Sequence, residues 1–121
     1  MEYNNGGVER KQRKMNTNRI EKPWGYEEIL YQGDYLVKRL VLKDETSTHY
    51  HTVRTEHLFP VKGQGVVHLN NNVFQLLPNS VVRIDKGVIH KIVPTDHLEI
   101  IEISDINVDD VVRVENKHGR R

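Results

Sequence analysis

Short apolar runs separated by polar turns set the rhythm of this chain. They occupy positions 26–31, 35–42, 58–62, 66–69, 73–77, 81–84, 88–93, 98–103 and 111–114, and they are rich in Val and Ile. Between them stand Gly33-Asp34, Asp44-Glu45, Gly63-Gln64-Gly65, Asn70-Asn71-Asn72, Pro78-Asn79-Ser80, Asp85-Lys86-Gly87 and Pro94-Thr95-Asp96. β-Branched residues suit a pleated, half-buried surface, and Gly, Asn, Asp and Pro suit the turns between strands. No window keeps a helical period over the length a helix needs. The pattern predicts an all-β protein: a sandwich, jelly roll or barrel.

One polar stretch interrupts the rhythm. Thr48-His49-Tyr50-His51 carries two histidines at a spacing of two, and Glu56 follows after a polar turn. If 49–51 is a strand, alternation puts both imidazoles on one face, and the turn can bring Glu56 back beside them. His90 follows the turn signal Asp85-Lys86-Gly87. Three imidazoles and a carboxylate form a donor set for one divalent transition metal, Zn, Mn, Fe, Co or Ni. The competing reading is a solvated strand end whose histidines are incidental. His57 adjoins Glu56, so in a strand it points to the opposite face. His68, His97 and His118 are not needed for the set.

Composition narrows the setting. At 121 residues the chain is one domain with a modest core. It has no apolar run long enough to span a bilayer, and no secretory leader is expected, so no membrane partner is. The absence of cysteine excludes disulfides, thiolate metal sites and a cysteine nucleophile, and leans toward a cytoplasmic protein. Formal net charge is +1, but Arg10, Lys11, Arg13, Lys14 and Arg19 crowd the first nineteen residues against Glu2 and Glu9. That segment has few large apolar side chains and is expected to be a flexible basic arm, with a single domain over 20–121. A compact basic face for nucleic acid is not evident. Pro23 and Trp24 begin the ordered part, Trp24 serving as a barrel plug or a pocket wall.

These residues resemble a known family. His49-x-His51, Glu56 and Gly63 resemble the first cupin motif, and Asp85-Lys86-Gly87-Val88-Ile89-His90 resembles the second, with Asp85 where proline is usual. The resemblance implies a cupin-type double-stranded β-helix, a jelly-roll barrel with the metal inside. Lys22-Pro23-Trp24-Gly25, the segments at 37–42, 100–103 and 109–113, and His118-Gly119-Arg120 are similar to the type II mannose-6-phosphate isomerase cupin. That similarity implies carbohydrate metabolism and a metal-dependent interconversion of mannose-6-phosphate and fructose-6-phosphate through an enediolate. Glu56 and Lys38 are then the candidate proton-transfer groups. Arg39, Arg113 and Arg120, with Trp24, are candidates to bind the sugar phosphate, though Lys38 and Arg39 are strand neighbours and only one can face inward. Two other readings stay open: a cupin that binds a sugar or small acid with its metal but without turnover, and an iron-dependent dioxygenase. Edge strands of small jelly rolls are often hidden by pairing, so a homodimer is expected.

Overall fold

The computed structural model describes residues 18–106 and 111–115. Most of the expected basic arm lies outside that range, although Asn18 and Arg19 fall within the first strand. The described residues form eleven strands: β1 (Asn18–Lys22), β2 (Gly25–Gln32), β3 (Leu36–Leu42), β4 (Thr48–His51), β5 (Glu56–Lys62), β6 (Gly65–Leu69), β7 (Asn72–Leu76), β8 (Val82–Ile84), β9 (His90–Pro94), β10 (Leu98–Ser104) and β11 (Val111–Glu115). They make two antiparallel sheets, one ordered β1-β2-β3-β10-β5-β8 and the other β11-β4-β9-β6-β7. This is the all-β architecture that the strand pattern predicts, and the jelly roll that the cupin resemblance implies. Among the described residues no helix is long and apolar enough to cross a membrane.

Alternation places the core. Leu98 and Ile100 of β10, Leu58 of β5, Leu40 and Leu42 of β3 and Ile84 of β8 project from the six-stranded sheet. They meet Val67, Leu76 and Ile92 of the other sheet, and all are buried. Trp24 packs against this cluster, as expected of a plug. Each fully buried side chain of this size is worth about 1.5–3 kcal/mol, so the cluster supplies much of the driving force for closing the sheets together.

The same alternation carries polar groups inward at one end. Along β10 the buried positions run Leu98, Ile100, Glu102, Ser104, and along β5 they run Pro60, Leu58, Glu56. Glu102 stands opposite Lys38 on β3, and Ser104 stands opposite Glu56 on β5. The interior is therefore apolar at one end and charged at the other.

Two local departures from the predicted runs have plain causes. β1 carries no apolar alternation and is exposed along four of its five residues. It is held by its ladder to β2 and by Arg19, whose guanidinium lies 3.5 Å from the centre of the Tyr26 ring. Pro60 sits inside β5, where a missing N–H would normally break a ladder. Here β8 pairs only with Glu56, His57 and Leu58, so the outer side of Pro60 has no ladder to break.

Candidate metal centre

Three strands deliver the candidate ligands. His49 and His51 come from β4, Glu56 opens β5, and His90 opens β9. β4 and β9 meet at one register pair, His49 opposite His90. The ring centres lie 4.3 Å (His49 to His90), 5.0 Å (His49 to His51) and 5.2 Å (His51 to His90) apart. One ring nitrogen from each histidine falls within 4.8 Å of the others, so the three could hold a metal ion. Glu56 adjoins them, with Oε2 3.2 Å from Nε2 of His51 and Oε1 3.5 Å from Nε2 of His90.

Backbone carbonyls set the ring orientation. Nδ1–H of His49 donates to the carbonyl of Ser47 at 2.9 Å, and Nδ1–H of His90 donates to the carbonyl of Val88 at 2.9 Å. Each bond fixes the tautomer and leaves Nε2 with a free lone pair, the arrangement a ligating imidazole needs. His51 is held differently: Nη2 of Arg54 donates to its Nδ1 at 2.7 Å and lies 3.4 Å from Oε2 of Glu56. Arg54 is only 3% exposed. The donor set is borderline-soft nitrogen with one hard oxygen and no sulfur, which fits a divalent transition ion.

The electrostatics suit a cation. Burial, reinforced by the neighbouring His90, lowers the pKa of His49 to about 3, and burial also lowers that of His90. Both rings are therefore neutral at physiological pH and available as ligands. Burial alone would raise Glu56, but the hydrogen bond of His51 and the charge of Arg54 hold it below the ordinary carboxylate range. Glu102 is displaced the other way: burial, then the charge of Glu56, raises its pKa well above the usual value, with Lys38 opposing. Glu102 is thus held as the neutral acid near the Glu56 carboxylate.

The centre lines a cavity of about 580 Å³. The β1–β2 hairpin forms one wall with Ile20, Lys22, Pro23 and Trp24, and β11 contributes Val111 and Arg113. Lys38, Glu27, Arg54 and Glu102 add charge of both signs.

Most of the residues picked out by sequence converge here. His49, His51, Glu56, His90, Lys38, Trp24 and Arg113 all line the cavity. Arg39 does not. As the strand neighbour of inward Lys38 it points outward, where Nη1 meets Glu28 at 3.1 Å and Nε meets Glu99 at 3.4 Å. Arg120 lies outside the described residues. His57 faces away from the centre as expected, its ring 6.5 Å from that of Phe59. Four charged cavity residues escaped the sequence reading: Lys22, Glu27, Arg54 and Glu102. Glu102 was legible in principle, since it continues the buried register of Leu98 and Ile100. Arg54 sits in a polar turn that offered no such signal.

Comparison with known proteins places the chain. Residues 9–116 match the family described as "Mannose-6-phosphate isomerase C-terminal". The mannose-1-phosphate guanylyltransferase ManC of Salmonella typhimurium is 33% identical over 109 residues, which is 84% of this chain and 23% of that protein. The alginate biosynthesis protein AlgA of Pseudomonas syringae pv. tomato is 30% identical over 109 residues, again 84% of this chain and 23% of the relative. The chain thus spans less than a quarter of the length of either relative. Among solved structures, the Streptomyces nucleoside dehydratase Pac13 has a TM-score of 0.74 at 18% identity, over 87% of this chain and 92% of that one. A cupin-2 domain containing protein from Shewanella frigidimarina gives 0.60 at 22% identity, over 64% and 76% of the two chains. Likeness at those identities speaks for the fold. With two antiparallel sheets closed over a histidine-lined interior, and with the family match running nearly from end to end, this chain belongs to the mannose-6-phosphate isomerase C-terminal family of cupins.

Proposed function

We propose that this chain is a metal-dependent aldose–ketose isomerase for a phosphorylated hexose, with mannose-6-phosphate and fructose-6-phosphate as the first pair to test. One observation carries the reading. Three oriented imidazoles and a carboxylate stand in a cavity of about 580 Å³ lined by seven charged side chains alongside Trp24 and aliphatic residues. That volume falls within the range of small-molecule sites, and such walls suit hydroxyls and phosphate better than an apolar substrate. The charged lining favours this reading over the dioxygenase one, and turnover separates it from a cupin that binds a sugar or small acid without turnover.

His49, His51, His90 and Glu56 would hold the ion, of the Zn, Mn, Fe, Co or Ni class. When bound, it supplies Lewis-acid charge that acidifies the carbon next to the sugar carbonyl. The protein groups then do the proton work. Glu56, kept ionised by His51 and Arg54, takes the proton from C2, and the electron pair forms the C1–C2 double bond. Lys38 gives a proton to the former carbonyl oxygen on C1 and takes one from the hydroxyl on C2. Glu56 returns its proton to C1, leaving the ketose, and both residues end as they began. Arg113 and Lys22, at the β11 and hairpin walls, are placed to take the phosphoryl group, arginine by its two-pronged fit.

The test is turnover of mannose-6-phosphate by the full chain with each metal supplied in turn. Activity that vanishes in His51→Ala supports the reading. Stoichiometric metal with no turnover of any hexose phosphate sinks it.

A further inference from the structure

Glu27 is the odd member of its row. On the inner face of the six-stranded sheet it lies opposite Leu40, which lies opposite Ile100, which lies opposite Pro60. A carboxylate 8% exposed in an apolar row costs free energy unless it is paired. Its partners are two lysines, Lys38 Nζ at 2.8 Å and Lys22 Nζ at 3.6 Å.

We propose that Glu27 is a positioning residue: its carboxylate holds the Lys38 ammonium at the working height in the cavity, a role that rests on the isomerase reading above. Lys38 sits one step along β3 from the Leu40 row, so Glu27 is its diagonal neighbour and within reach of a long side chain. Directly opposite Lys38 on β10 stands Glu102, which lines the same cavity as Glu56. The lysine therefore has an acid on either side: one toward the metal centre, one toward the hairpin. Four rotatable bonds let the ammonium swing between them. Without Glu27 it would settle against Glu102 and leave the position from which it can reach both substrate oxygens. Lys22, at the end of β1, braces Glu27 from the mouth side. A salt bridge serving stability alone would not demand that both partners line the cavity, as Glu27 and Lys38 do.

The experiment compares Glu27→Gln, Lys38→Met and the double variant in the full chain, loaded with the metal that supports turnover. Metal content and circular dichroism serve as controls for folding. For Glu27→Gln a fall in kcat of ~10-fold or more is expected with KM changed by less than ~3-fold. In the Lys38→Met background the added Glu27→Gln change is expected to cost less than ~2-fold more, because Glu27 acts through the lysine. Glu27→Asp, which keeps the charge, is expected to recover part of kcat. Wild-type kcat in Glu27→Gln, or losses that multiply in the double variant, would overturn the assignment. A second readout needs no turnover: the Lys38 ammonium NMR signal, assigned by its loss in Lys38→Met, is expected to broaden by faster hydrogen exchange in Glu27→Gln. An unchanged signal removes the clamp even if activity falls. Failure of the wild type to turn over any hexose phosphate overturns the isomerisation step itself, and the NMR signal then decides separately whether the clamp exists.

Discussion

A histidine that is to bind a cation needs one nitrogen occupied and the other aimed, and His49 and His90 achieve both through the carbonyl two residues before them. The His-x-His spacing and the turn signal before His90 made the candidate histidines legible in the sequence. What spacing could not reveal is Glu102, the second carboxyl group behind them, beside Glu56. Glu56 and Glu102 come from strands β5 and β10, far apart in sequence, and their opposite displacements follow only from packing. The signs give a test on metal-free protein. His49 and His90 bind protons less readily when folded, so below the ordinary value of 6.5 the unfolded chain holds more protons and acidification lowers stability, for His49 down to about 3. Glu102 binds its proton more tightly when folded. Its contribution is fully present below the ordinary value of 4.5 and is lost as pH rises through the folded value. Glu102→Gln stays neutral throughout, so its urea midpoint should gain on wild type as pH climbs above 4.5, the region in which Glu56, Lys38 and Arg54 act on the native acid. A difference between the two proteins that stays flat with pH would mean Glu102 is not held neutral.

Among the elements, β2, β3, β5, β6, β7, β10 and β11 were plain in the sequence because each has an apolar run and a turn former at its ends. β1 was not, because its hold on the fold is a ladder and one cation–π contact rather than burial. β9 begins at His90, two residues later than the apolar run suggests, since Val88 and Ile89 complete the turn that presents the ring. The motif glycine between β5 and β6 shows what the family pattern encodes physically. Gly63 has φ of 77°, and a Cβ there would collide with the carbonyl oxygen of His97, in the loop leading into β10. Gly63→Ala must therefore distort either the β5–β6 turn or the start of β10. A loss of about 2 kcal/mol or more is expected from backbone strain plus collision, read as a lower urea midpoint with an unchanged slope. An alanine variant as stable as wild type would show that the turn relaxes freely.

For the molecule as a whole, the candidate centre joins the two sheets. His49, His51 and His90 belong to the five-stranded sheet and Glu56 to the six-stranded one, so a cation held by all four ties one sheet to the other. It also ties β4 to β9, which otherwise share a single register pair, and among the described residues β11 pairs with β4 alone. The part of the fold most dependent on the ion should therefore be the β11-β4 end. At the opposite end, β6 is zipped to both β7 and β9 over five residues each. Metal at one hundred times its dissociation constant stabilises by about 2.7 kcal/mol if it binds only the folded chain. For a domain of this size that corresponds to a rise in Tm of ~10 °C or more. Chelation of the wild type should reverse the rise, and His90→Ala should show no metal-dependent part at all. Hydrogen exchange should report where the change falls: faster exchange in β4 and β11 on metal removal, with β6 and β7 still protected. If chelation leaves Tm untouched, the imidazole trio is not a metal site. If protection drops evenly over both sheets, the ion stabilises the fold as a unit and does not pin one weak corner of it.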